Sequence, residues 1–206
     1  MSYSYHILSA GLFLLHAFLF FSCSSKFSKG IHYVTKEGGD DKNLTSIVMR
    51  DGKKWTARNL NLKLEGSFCY NDSTENCLKY GRLYTWELAM EGCEALGEGW
   101  RLPTSAEWEQ MINHYGGIRN ETEQSGKEAY RRLISGGDSG LDILFGGTRD
   151  ASGGYRRIYG HGFYWTATER DSTHSWFYNF GKGGQFVNRY DDGEKLRAVS
   201  VRCINE

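Results

Sequence analysis

The period of apolar positions changes along this chain, and each change predicts a different element. Residues 7–21 are apolar apart from Ser9 and His16. That run is shorter than the roughly 20 residues a membrane-spanning helix needs and fits the apolar centre of a secretory leader. Residues 24–44 mix Ser, Lys, Gly and Asp with isolated apolar residues, hold no sustained period, and read as a tether. From Thr45, Ser46–Met49 and Lys54–Ala57 flank an Asp51-Gly52 turn, which predicts a pair of strands. Thr85 is placed as an N-cap, and Trp86, Ala89, Met90, Cys93 and Leu96 recur at helical spacing until Gly97. Cys93 therefore faces inward from a helix. Ser125 and Glu128 introduce a further short helix over 126–134, ended by Gly136-Gly137.

Beyond that point the pattern changes to strands. Residues 162–167, 175–180, 185–190 and 197–203 are short, aromatic or β-branched, and separated by Gly-rich or Asp-Gly turns. They predict an antiparallel meander. The whole reads as one α+β domain over 45–206, with antiparallel strands at both ends and two to three short helices in the middle. It follows a leader at 1–22 and a tether at 23–44. No internal repeat supports a propeller or solenoid.

The stretch Gly99 to Trp108, GWRLPTSAEW, holds the single proline and two of the six tryptophans. Thr104 with Glu107 three residues on is a capping box, and Pro103 and Trp108 occupy the staple positions around it. An Arg101–Glu107 pair has the look of catalytic chemistry, yet every residue here has a structural task. The stretch is read as scaffold.

Charge narrows the partners. Lys and Arg total 25, matched by 25 Asp and Glu, so nothing in the balance attracts nucleic acid or an anionic membrane surface. With 26 Gly and aromatic residues at 15%, the chain reads as an ordered, loop-rich domain packed on rings.

Leu19-Phe20-Phe21-Ser22-Cys23 resembles a bacterial lipobox, in which Cys23 is acylated and becomes the mature N-terminus. Lys26 and Lys29 also allow an uncleaved anchor with a cytoplasmic domain. Cys69, Cys77, Cys93 and Cys203 remain, an even number suited to export. They show no zinc-ligand spacing and permit three connectivities. Cys69 and Cys77 bracket a turn-rich segment where a local bridge is natural, which leaves Cys93 with Cys203.

Several motifs carry a family resemblance. WTARNLN (55–61), GRLYTW (81–86), GWRLPTSAEW, Gly146-Gly147 ahead of Arg149, FYWT (163–166) and SVRC (200–203), in this order, resemble the Fibrobacter succinogenes major paralogous domain over about 47–204. GWRLPT is shared with the formylglycine-generating sulfatase-modifying factors. The resemblance implies a C-type lectin-like fold, in which a helix cysteine is bridged to the last strand, and so supports Cys93 with Cys203. It also implies a cell-envelope domain, frequently on lipoproteins, with no defined activity.

No catalytic residue, metal or cofactor is assigned. The prolyl calcium loop of sugar-binding C-type lectins is absent, since Pro103 lies elsewhere. Asp191-Asp192-Gly193-Glu194 offers oxygen ligands but reads as an acidic hairpin turn. Sulfatase-modifying chemistry needs reactive cysteines in the C-terminal part, where only Cys203 stands. The candidate site is the segment 150–162, where Tyr155, Arg156, Arg157, Tyr159 and His161 combine aromatic and guanidinium faces between flexible glycines. Its other reading is a solvated loop with Tyr155 and Tyr159 covering the core. The expectation is a non-catalytic binding or adhesion module for glycan or protein, lipid-anchored in the outer membrane. The alternatives are an enzyme related to the sulfatase modifiers and a structural subunit of a surface assembly.

Overall fold

The computed structural model describes Met1 and residues 33–36, 44–119 and 126–206. The expected leader, the acylated Cys23 and the Ser125 cap lie outside the described residues. Strand β1 (Tyr33–Lys36) lies within the stretch read as tether and pairs antiparallel with β2 (Leu44–Val48). β2 pairs with β3 (Lys54–Thr56) around the Asp51-Gly52 turn, where Gly52 takes a positive φ of 83°. Asp51 fixes that turn by accepting from the Lys53 amide and from Trp55 Nε1. β3 in turn pairs with the terminal strand β9 (Ile204–Asn205), so both ends of the domain close one sheet.

Helices α1 (Thr74–Tyr80), α2 (Trp86–Glu94), α3 (Ser105–Asn113) and α4 (Lys127–Leu133) fill the middle of the chain. That is one helix more than the sequence pattern predicts. α1 lies in the segment read as turn; its first residues are turn formers, and the helix is held by burial of Cys77 and Tyr80. α2 begins after Thr85, although the threonine side chain makes no cap bond there. Gly126 takes the N-cap position of α4, in the left-handed region at φ 79°. α3 carries the full box: Thr104 accepts from the Glu107 amide and Glu107 accepts from the Thr104 amide.

The meander forms as β6 (His161–Glu169), β7 (His174–Gly181) and β8 (Phe186–Glu194), paired antiparallel in that order. Its last turn is corrected. Asp191 and Asp192 are not a hairpin turn: Ser175 pairs Gly193 and Phe177 pairs Tyr190, so both aspartates sit in a bulge inside β8. The segment 197–203 is not a regular strand either. Its buried residues bond a series of different partners, Ala198 with Arg149, Val199 with Tyr84 and Ser200 with Phe163 and Trp165, stitching the sheets together.

A small apolar cluster around Tyr70, Leu83 and Ala198 and two large ones result. In one, Trp108 stands at the centre, its ring 4.8 Å from Trp55, 5.5 Å from Tyr178 and 5.7 Å from Tyr164. The other packs Trp86, Trp100, Phe163, Trp165 and Phe177 around the Cys93–Cys203 bridge, which joins α2 to the residue preceding β9. Cys69 bridges Cys77. Both pairings match the expectation. At the seam, fully buried Arg202 donates to Asn59 Oδ1 (2.8 Å), the Thr56 carbonyl (2.7 Å) and the Asp142 carbonyl (2.8 Å). Asn59 passes that bonding on to Tyr164 and to the Tyr80 carbonyl.

Candidate functional site

The segment read as the candidate site begins in a two-stranded ribbon, β4 (Thr148–Arg149) paired with β5 (Tyr155–Arg156). Its turn closes through Asp150 and Gly154, whose backbones bond at 2.8 Å. The ribbon lies flush on the domain because Gly147 has no side chain. At its φ of 70°, a Cβ would stand 2.6 Å from the Arg156 carbonyl and 2.8 Å from the Tyr70 ring. Past the ribbon, Arg157 and Tyr159 both adopt left-handed conformations, at φ 66° and 67°. Such positions cost a non-glycine residue about 1 kcal/mol or more, and they cluster where side chains are held for a ligand. The turn is tied by bonds from the Gly160 and His161 amides to the Arg157 carbonyl and from the Tyr159 amide to Phe145.

Between this turn and one face of the meander runs a cleft of about 330 Å³. Phe163 from β6, Phe177 and Asn179 from β7, and Tyr190 from β8 form its floor. Arg156, Arg157, Arg197 and His161 line it together with Thr148, Asp150 and Asp192. The opposite face of the same strands, with Tyr164, Tyr178 and Phe180, packs on Trp108. Period-two alternation thus gives one sheet a core face and a cleft face.

The cations differ in how far the fold answers them. Arg156 is engaged by the Asp150 carboxylate. Arg197 lies over both floor rings, its Cζ 4.8 Å from the centroids of Phe163 and Phe177, and donates from Nε to Thr148 Oγ1 at 3.3 Å. Burial pushes its pKa down, with Asp150, Asp192 and Glu194 acting the other way, and a guanidinium so placed keeps its charge. Arg157 has no carboxylate within ion-pair distance among the described residues; its Nη1 sits 3.4 Å from His161 Nε2. On its other side, His161 Nδ1 meets the Asn179 side-chain amide, 3.3 Å from Oδ1 and 3.2 Å from Nδ2. The His161 ring is stacked on Phe163, 5.5 Å away and inclined by 7°. Tyr190 is stacked on Phe177 at 5.4 Å and remains 44% exposed.

Of the five residues singled out from the sequence, Arg156, Arg157 and His161 line the cleft. Tyr155 and Tyr159 do not line it. The Tyr155 ring packs on Tyr70 and its hydroxyl donates to Asp72 Oδ1 at 2.6 Å, so it fastens the ribbon to the turn before α1. Tyr159 rests edge-on against Tyr80 and is 61% exposed, outside the cleft. Asp192, read from the sequence as part of an acidic turn, lines the same cleft. Sequence reasoning passed over Arg197, Tyr190 and the Phe163–Phe177 floor. Only the aromatic content of the predicted strands hinted that rings would share a face.

A second depression of about 560 Å³ lies beside Glu87, His174 and Leu196. Its cation is already engaged: Lys195 pairs with Glu169 at 2.6 Å and covers the Trp86 ring. Among the described residues, no group of three or more His, Cys, Asp or Glu side chains is placed to hold a metal ion. No helix among them is long and apolar enough to cross a membrane. The family model for the Fibrobacter succinogenes major domain matches residues 41–205, a span that contains every residue of the cleft. No curated protein and no solved structure matches the chain.

Proposed function

The chain belongs to the Fibrobacter succinogenes major domain family, and we propose that it is a non-catalytic binding module of the cell envelope, taking a glycan or protein ligand in the cleft over Phe163 and Phe177. One observation carries this reading. Arg157 is held in a left-handed turn at the cleft wall, its charge unanswered by any carboxylate among the described residues, above an aromatic floor that includes exposed Tyr190. A cation and a ring presented together to solvent form a recognition surface and add nothing to the fold.

Secretion fits the two disulfides, which persist in oxidising compartments. The leader-like run before Cys23 supports a lipid anchor in the outer membrane. The bridge from α2 to the residue before β9, with both ends of the domain in one sheet, supports a C-type lectin-like arrangement. An oxidase of the sulfatase-modifying kind would need a free reactive thiol, and each cysteine among the described residues is bridged.

The test is a printed array of glycans and envelope protein fragments, probed with the full-length chain in detergent and with its Arg157→Ala/Tyr190→Ala form. Wild type should retain a defined subset that the double variant loses. Identical retention by both would overturn the cleft as the site.

A further inference from the structure

We infer that the ligand is a uronic acid residue of a glycan, its carboxylate received by Arg157 and its ring laid on the Tyr190–Phe177 stack. This inference rests on the cleft being the binding site.

Charge comes first. Three arginines and two aspartates line the cleft, which leaves an excess of one cation among them. Arg156 and Asp150 answer each other, so the balance falls to Arg157 and Arg197 facing Asp192. One carboxylate completes that set. A phosphate dianion or a nucleic-acid strand would bring more negative charge than the cleft answers, and would meet Asp192 as well. A planar guanidinium also matches a carboxylate through two parallel hydrogen bonds.

The remaining surface is suited to a sugar ring. Tyr190 over Phe177 and His161 over Phe163 present two ring faces, against which the C–H face of a pyranose can lie. Asp192, with no ion-pair partner among the described residues, accepts from hydroxyl groups, and Asn179 at the floor offers a further polar contact. A volume of about 330 Å³ is at the small end for ligand pockets, matching one or two sugar rings and too tight for a folded peptide segment. Carboxylate, hydroxyls and an apolar ring face on one compact unit are the attributes of a uronic acid.

The experiment is calorimetric titration of the full-length chain in detergent with four probes: tri-galacturonate, its uncharged methyl ester, a sulfated galactan trisaccharide and a tri-glutamate peptide. Tri-galacturonate should bind at least tenfold tighter than its methyl ester. That preference should vanish in Arg157→Ala, and Tyr190→Ala should weaken both sugars together. Tighter binding of the sulfated sugar or of the peptide would overturn the uronate assignment. Equal binding of acid and ester, with both lost in Tyr190→Ala, would also overturn it while leaving the cleft as a glycan site. Failure of every probe to bind, with Tyr190→Ala and Arg157→Ala retaining the wild-type set on the glycan array, would overturn the cleft as well.

Discussion

Arg202 and Arg157 carry the same guanidinium into opposite surroundings. Arg202 is wholly buried, and its donors end on two backbone carbonyls and the Asn59 amide oxygen, at 2.7 to 2.8 Å. Burial pulls its pKa down, but the fold supplies oxygens all round it. Arg157 stands exposed at the cleft, with a long contact to one imidazole nitrogen. Arg101 lies between the two: Glu107 binds it through both oxygens, at 2.7 and 2.8 Å, and Glu206 adds a third contact. A cation whose donors are consumed by its own chain is scaffold. One whose donors face open volume beside exposed rings is the one on which the proposed binding role rests.

The comparison can be broken at its scaffold end. Replacing Cys93 by Ser should cost about 4 to 5 kcal/mol of stability, because the bridge to Cys203 closes a loop of 110 residues. Chemical denaturation of the oxidised protein measures that loss. Arg202→Met keeps much of the volume but takes a donor from the Thr56 and Asp142 carbonyls, at about 1 kcal/mol or more each, for a total of roughly 2 kcal/mol, while Asn59 Oδ1 keeps the Tyr164 hydroxyl. An Arg202→Met protein as stable as wild type would show that a buried guanidinium is no part of this scaffold.

Acid sharpens the intermediate case. Burial by itself would raise the Glu107 carboxyl, but Arg101, the Thr104 amide and hydroxyl, and Lys53 outweigh it and hold the pKa at about 2. A lowered folded pKa means that the unfolded chain takes up the proton first. The stabilisation is therefore complete above about pH 4.5 and is lost as the pH falls toward 2, by an amount on the order of 2 kcal/mol after solvent screening. Denaturation midpoints across that window should slope less steeply in Glu107→Gln than in wild type. An unchanged slope would remove Glu107 from the scaffold's electrostatics.

Legibility divided along the same line. The capping box at Thr104 and Glu107 spans four consecutive residues and depends on local geometry, so it could be read directly. The same holds for the aromatic strands and the cysteine that helix phase turns inward. Helix α1 could not be read so, because Thr74-Glu75-Asn76 are turn formers; what holds them helical is the burial of Cys77 and Tyr80 against distant residues. The bulge at Asp191 and Asp192 depends on register with β7, which no local pattern in β8 encodes. The cleft was half legible. Arg156, Arg157 and His161 are neighbours in sequence, whereas Arg197, Tyr190, Phe163 and Phe177 meet them only through the meander and the stitching segment after it.

The central claim is that Arg157 serves a ligand and Arg202 serves the fold, and thermal unfolding with and without tri-galacturonate tests it most directly. Wild type should melt higher as the sugar is added, since a ligand that binds only the folded state raises its stability by mass action. Arg157→Ala should melt within the shift expected for about 0.5 kcal/mol of wild type in plain buffer and gain nothing from the sugar. If Arg157→Ala already melts far below wild type without sugar, or gains as much as wild type with it, the division between answered and unanswered arginines is contradicted.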